Sequence, residues 1–361
     1  SGTTGNPKGA LYTHRSTVLH ALMAGTPAVT GTSAGETLMP VVPMFHVNAW
    51  GQPYYAPLVG AKLVLPGPKL DGESLYNLIH AEGVSNTAGV PTIWLNLLKH
   101  TRDVDGNLDT LNNVIIGGSA APGAMIKEFE ETYKTNVVHA WGMTEMSPLG
   151  SSGILPPHIN ATASEDEKHD LKVKQGHRVW GVEMKIVDDD EEPQIHDGKA
   201  RGQLVVRGPW ITSGYYNNHD ANEKAFTKDG WFYTGDIATI DDDNFLQLVD
   251  RSKDVIKSGG EWISSIDLEN EAVGAPGVGE AAVIGVAHPK WDERPVLIIV
   301  PADTNNPPSD ESIRNYLGTR IAKWWMPDLI IFKDEIPHGA TGKILKTELR
   351  DEFKDALANA S

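Results

Sequence analysis

From residue 36 to residue 145, short apolar runs alternate with segments whose apolar positions recur at helical spacing. "TLMPVVPMF" (37–45) and "AKLVLP" (61–66) read as strands. "GESLYNLIHAEG" (72–83) puts Leu75, Leu78 and Ile79 on one helix face. A second helix is predicted over "VPTIWLNLLKH" (90–100), then strand "NNVIIGG" (112–118), helix "PGAMIKEFEETYK" (122–134) and strand "NVVHAW" (136–141). This alternation predicts a layered α/β domain around a central sheet. Sites in such sheets gather at the carboxyl ends of the strands.

The pattern changes after residue 150. Residues 158–175 are polar and helix-compatible, and from 182 the chain reads as short strands with turns: "VEMKIVD", "GQLVVRG", "FLQLVD". These predict a β-barrel-like subdomain. Beyond 254 a smaller α+β unit is expected, with helices near 266–273, 309–322 and 345–357 and strands near 280–287, 294–301 and 328–333. "DRSKD" marks the expected boundary, with 1–249 as one domain, 254–361 as a smaller one and 250–253 joining them.

Composition narrows the classes. A chain of 361 residues is long for one core, so two domains are expected. Apolar content of 40% and charged content of 22% fit a globular protein, and no apolar run approaches the ~20 residues of a membrane span. A net charge of −17 argues against nucleic acid as a partner. There are no cysteines, which excludes disulfides, thiolate metal sites and cysteine nucleophiles and is compatible with a reducing cytoplasm, the expected location.

The chemistry-bearing stretches come in series. "SGTTGNPKG" offers Ser1, Thr3, Thr4, three glycines and Lys8 to an anion, without the Gly-Lys-Ser/Thr ending of a Walker loop. "GGSAAPG" (117–123) follows a strand and opens a helix. In "HAWGMTEMSP" (139–148), Trp141 can stack on a base, and Thr144 and Glu145 offer oxygens to Mg2+. "YTGD" places Asp236 after a tight turn, suited to ribose hydroxyls. "DRSKDVIKSGGEWISS" gathers Arg251, Lys253, Lys257 and a Gly-Gly pair, and "GATGKILK" presents Lys343 before a helix.

In order, these stretches and "PMFHVNAWG" resemble the AMP-forming acyl-CoA synthetases, the superfamily that includes luciferases and peptide-synthetase adenylation domains. The resemblance runs from residue 1 to residue 346. It implies ATP, Mg2+ and CoA as cofactors and a carboxylic acid as substrate. By it, Ser1, Thr3, Thr4 and Lys8 hold the ATP phosphates, Glu145 binds Mg2+, and Asp236 and Arg251 hold the ribose. Trp141 stands where the family usually has a Tyr stacking on adenine. Gly118, Ser119, Ala120, His139, Ala140, Gly142, Met143 and Thr144 complete the expected nucleotide wall. Lys343 approaches the carboxylate and α-phosphate; Lys257 and His46 join it in the expected catalytic set. Lys253 takes the hinge position, and Gly259, Gly260 and Trp262 border the pantetheine path reached when the small domain rotates.

The acyl channel is expected from His46, Val47, Trp50, Gly117 and Gly142, with Trp50 as its gate. No acidic anchor for an amino acid stands in "PMFHVNAWG". "GGEWISS" looks like the medium- and long-chain fatty-acid ligases. "HAWGMTEMSP" looks more like the ligases for 3-methylmercaptopropionate in bacterial dimethylsulfoniopropionate breakdown, and a Trp-lined channel could hold a thioether acid by sulfur–aromatic contact. Short- to medium-chain acids are therefore the expected substrates. A long-chain fatty-acid CoA ligase and a CoA-independent adenylating enzyme are the alternatives, and a binding module is the noncatalytic one. A homodimer is among the expected assemblies. Relatives carry a segment ahead of the opening loop, so residues 1–361 alone are expected to fold poorly and to be inactive.

Overall fold

In the computed structural model, residues 7–259, 261–339 and 343–358 are described. The chain divides into two compact units, Ser1–Thr234 with Thr239–Leu248, and Gly235–Ala238 with Val249–Ser361.

The first unit is organised by a seven-stranded sheet. Its order is Lys62–Leu63, Thr37–Pro40, Asn86–Gly89, Asn113–Ile116, Asn136–Gly142, Leu149–Ser152, His177–Arg178. The first five strands pair in parallel, and Leu149–Ser152 adds antiparallel to Asn136–Gly142. The strand expected over 37–45 stops at Pro40, beyond which Pro43 cannot donate to a ladder. One face is covered by the helices Gly72–Glu82 and Pro91–Asp103. Leu75 and Ile79 on the first, and Trp94, Leu97, Leu98 and Thr101 on the second, are buried at helical spacing. Truncating one such core side chain costs about 2–5 kcal/mol. The two helices meet closely: a Cβ on Gly72 would lie 2.3 Å from the Asn96 carbonyl oxygen. The segment 122–134 is helical, α over Gly123–Lys127 and π over Glu128–Thr132.

Two further helices, His14–Ala24 and Gln52–Val59, were not foreseen from the sequence. Ala21, Ala24, Tyr55 and Ala56 pack with Leu38 in a separate core cluster. The strand starts are joined by a row of side chains. Lys172 Nζ donates to Asn136 Oδ1 (3.0 Å), Asn136 to Asn113 Oδ1 (2.8 Å), Asn113 to Asn86 Oδ1 (2.8 Å), and Asn86 to Glu36 Oε2 (2.6 Å).

Residues 157–172 supply the expected helices, as Pro157–Thr162 and Glu165–Lys172. The strands after 182 form a four-stranded sheet, ordered Leu246–Arg251, Phe232–Ile240, Gly202–Arg207, Glu183–Val187.

In the second unit, Val278–His288 and Asp292–Pro301 form a long antiparallel pair joined by Leu329–Phe332 and by the hairpin Ile256–Ser258/Glu261–Ile263. Successive side chains go to opposite faces. Ala281, Val283, Leu297 and Ile299 pack with Leu268, Ile313 and Leu317. Ala282, Ile284, Val286, Val296 and Ile298 pack with Ile336, Leu349 and Leu357. Among the described residues no helix is long and apolar enough to cross a membrane.

Candidate active site

"GGSAAPG" and "HAWGMTEMSP" lie where the parallel strands Asn113–Ile116 and Asn136–Gly142 end. Gly142 closes the strand Asn136–Gly142; a Cβ there would lie 2.0 Å from the Pro148 carbonyl oxygen, so the position admits only glycine. The turn that follows carries Glu145 inward, 2% exposed. Its carbonyl accepts from Thr212 N (2.7 Å), and its Oε1 accepts from the Tyr215 hydroxyl (2.8 Å). Lys8 Nζ sits 4.8 Å from the centre of the Tyr215 ring, a cation–π distance. The backbone fixes this meeting: Ala10 bridges Tyr215, Tyr216 N donates to Gly9 O (2.8 Å), and Leu11 N donates to Gly214 O (3.2 Å). Burial, then the Glu145 charge, pushes the Tyr215 phenol up, which keeps it a donor. Tyr12 donates to the Thr144 carbonyl and is pushed up by the same causes.

Lys8, Thr144 and Glu145 are thus brought together through Tyr12, Thr212 and Tyr215, none of which the motifs singled out. "TSGYYN" (212–217) held a signal in its paired aromatics within a polar turn. Its partner segment, however, lies some two hundred residues away in sequence. Ser1, Thr3, Thr4 and Gly260 lie outside the described residues.

Trp141 is 7% exposed, packed where a Cβ on Gly150 would meet its Cζ3 at 2.5 Å. His139 is buried; its Nδ1 lies 3.0 Å from the Val173 carbonyl oxygen, and burial lowers the imidazole to about 4, so it is neutral. Gly117, Gly118, Ser119 and Ala120 form the turn after Asn113–Ile116, with Gly118 at φ +82°. Ala140 packs at the edge of the Ala88, Ile115 and Val138 cluster, as does Trp50. Trp50 also covers Gly117, whose Cβ position is 3.1 Å from its Cη2. Val47, Asn48, Ala49 and Trp50 all take left-handed backbone, φ +46° to +54°, costing roughly 1–2 kcal/mol per residue. Below this turn His20 is buried, its Nε2 accepting from Leu149 N (3.2 Å) and its ring filling the space a Cβ on Gly51 would need. Burial lowers His20 to about 4. His46 and Met143 flank these elements, each partly exposed.

In the second unit Arg251 Nε reaches Asp236 Oδ1 at 2.9 Å, with the carboxylate almost fully buried. Lys253 is lowered by burial, with Arg251 and Arg350 adding repulsion against the attraction of Asp254. Lys257 pairs opposite Trp262 on the hairpin 256–263. Gly259, at φ +59°, donates its N–H to Trp291 O (2.8 Å), and a Cβ there would strike the Trp291 ring at 2.8 Å. The Lys343 carbonyl accepts from Gly339 N (2.8 Å), and Leu345 N donates to Pro337 O (2.8 Å).

No group of three His, Cys, Asp or Glu able to hold a metal occurs among the described residues. A single buried carboxylate still fits Mg2+ arriving with a polyphosphate, because that ion takes most of its oxygens from phosphate and water. Glu145 is such a carboxylate, oriented by Tyr215.

Residues 1–216 match the AMP-binding enzyme family model and 267–343 its C-terminal domain model; the chain belongs to the AMP-binding enzyme family. It is 53% identical over 357 residues to 3-methylmercaptopropionyl-CoA ligase of Ruegeria lacuscaerulensis, covering 99% of this chain and 65% of that protein. It is 49% identical over 362 residues to medium-chain-fatty-acid–CoA ligase of Ectopseudomonas oleovorans, covering 100% of this chain and 65% of the relative. The chain thus spans 65% of the length of both. A solved o-succinylbenzoate CoA synthetase from Bacillus subtilis, in complex with its acyl-adenylate intermediate, matches with a TM-score of 0.82 at 27% identity, over 97% of this chain and 68% of that one.

Proposed function

We propose that this chain carries the chemistry of an ATP-dependent acyl-CoA ligase: acid plus ATP gives acyl-AMP and pyrophosphate, and acyl-AMP plus CoA gives acyl-CoA and AMP. The observation that carries the reading is the convergence of Lys8 and Glu145 on Tyr215. A cation and an oriented carboxylate at the strand ends suit a polyphosphate with its metal.

A carboxylate resists attack by a thiolate because both are negative. Joining it to AMP supplies a good leaving group. In this reading Lys8, with Ser1, Thr3 and Thr4, holds the phosphates, and Lys343 supplies positive charge at the reacting carboxylate. Mg2+, held by Glu145, would neutralise charge on the departing pyrophosphate. Asp236 and Arg251 take the ribose. Trp141, with Gly118, Ser119, Ala120, Ala140, Gly142, Met143 and Thr144, borders the base, and His139 supports that wall as a neutral buried ring. Residues 250–253 form the hinge between domains 1–249 and 254–361, with Lys253 as pivot. Lys257, Gly259, Gly260 and Trp262 serve the CoA step.

The acid is short to medium in length, 3-methylmercaptopropionate being the leading candidate. Two supports are the named relatives and the Trp50 indole, which lies over Gly117. A cytoplasmic location suits an enzyme that consumes ATP and CoA and has no cysteine. The homodimer rests on family resemblance alone.

The test is pyrophosphate release by the purified protein across a panel of carboxylic acids, with Lys343→Ala beside it. Acid-dependent release that falls ~10²–10³-fold in the variant is expected. Thioester formation from supplied acyl-AMP should be spared. Release independent of acid, or equal loss of both half-reactions, would reject the assignment.

A further inference from the structure

Three residues beyond Lys343 the helix Lys346–Phe353 begins with a largely covered cation. A helix N-terminus disfavours positive charge, so this placement needs compensation. Lys346 Nζ reaches Glu269 Oε1 at 2.8 Å and Ser265 Oγ at 2.5 Å, with side chains 12% and 15% exposed in the ion pair. Burial alone would lower the ammonium; Glu269 and Asp250 outweigh it and hold it charged. The partners are themselves fixed. Glu269 Oε1 accepts from Val283 N (2.8 Å), and Asp250 Oδ2 accepts from Ser265 N (2.8 Å). One turn along the helix, Arg350 reaches Asp254 at 2.6 Å. On the other side of Lys343, His338 Nε2 meets Glu280 Oε1 at 2.6 Å.

We propose that Lys346 is a positioning residue for Lys343: its clamp on Glu269 and Ser265 fixes the chain just downstream of the reacting lysine to residues 265–269. A buried ion pair adds little net stability over apolar groups of the same shape, yet its direction and length are tightly set. Here that geometry lies on the short connection from Lys343 to its helix. The inference rests on the ligase reading for what Lys343 does, but not for whether the clamp holds the segment.

The experiment compares wild type, K346M and the double variant K346M/E269Q, which removes both members of the ion pair and leaves the Asp250 carboxylate accepting from Ser265 N. Amide hydrogen exchange is read at Gly339 and Leu345, whose N–H groups close the Lys343 segment, and at the core strand Asp292–Pro301. In both variants Gly339 and Leu345 should exchange at least about tenfold faster, while the strand in the double variant keeps wild-type protection. Adenylation should fall about 10²-fold at unchanged KM for ATP and acid, as misplacement does, with thioester formation from supplied acyl-AMP intact. Wild-type exchange at those two amides in the double variant, or uniform acceleration of all amides, would overturn the positioning role. So would adenylation that recovers together with stability in the double variant. If wild type releases no pyrophosphate with any acid, the ligase reading falls and the exchange data still decide the clamp.

Discussion

The two ends of the seven-stranded sheet are built by opposite rules from the same strands. At the strand starts, Asn86, Asn113 and Asn136 stand side by side in register and bond one another. At the strand finishes, glycines stand where no Cβ fits, four residues take left-handed backbone, and imidazoles are buried neutral. One end is joined by a row of paired side chains. The other holds costly conformations that the rest of the domain must support, which is where binding chemistry tends to be found.

The comparison breaks most visibly at Glu145. Glu145→Gln should lower acid-dependent pyrophosphate release by ~10²–10³-fold while the melting temperature moves little. A large loss of stability with normal turnover per folded molecule would assign Glu145 to the frame instead. Acid comes next. His20 and His139 titrate near 4 when folded, against about 6.5 when unfolded. Their stability contribution is whole above pH 6.5 and is lost as pH falls toward 4, because the unfolded chain then takes up protons that the fold refuses. The loss approaches about 3 kcal/mol per imidazole. Denaturant midpoints between pH 7.5 and 4.5 measure it, and a flat profile would contradict the neutral buried rings.

At the other end, Asn113→Ala leaves Asn86 Oδ1 without its donor and Asn136 Nδ2 without its acceptor. The expected cost is about 1–3 kcal/mol in urea unfolding, with the rate per folded molecule unchanged. A rate loss would mean the two ends are coupled. The smallest effect sharpens the contrast: Asn48→Gly, at φ +46° on an exposed position, should stabilise by under about 1 kcal/mol, the relieved left-handed strain less the freedom glycine adds to the unfolded chain. Destabilisation would show that the Asn48 side chain, rather than the backbone, holds the turn.

Much of the layer order was legible in the chain. Leu75 and Ile79, or Trp94 and Leu98, repeat with the helix, and Ala281 to Val286 alternate with the strand. Helix His14–Ala24 was not, since its inward face is mostly small residues and a buried histidine. Gln52–Val59 was hidden by Pro53 and Pro57, one at its start and one inside it. For the proposed site, motif order singled out Lys8 and Glu145, but Tyr215 between them depends on a backbone bridge between distant segments. The asparagines were equally silent: each is a single polar residue at a strand start, and only parallel register makes them neighbours.

That row also has a direction. Lys172 can only donate and Glu36 can only accept, so every amide between them is oriented by its ends, oxygen toward the lysine and nitrogen toward the carboxylate. Turning one amide over sets donor against donor on one side and acceptor against acceptor on the other. The three dipoles therefore behave as a single vector, held in one sense by its two ends. Its sense, fixed by two charged residues outside the inner strands, runs across the sheet perpendicular to the chain.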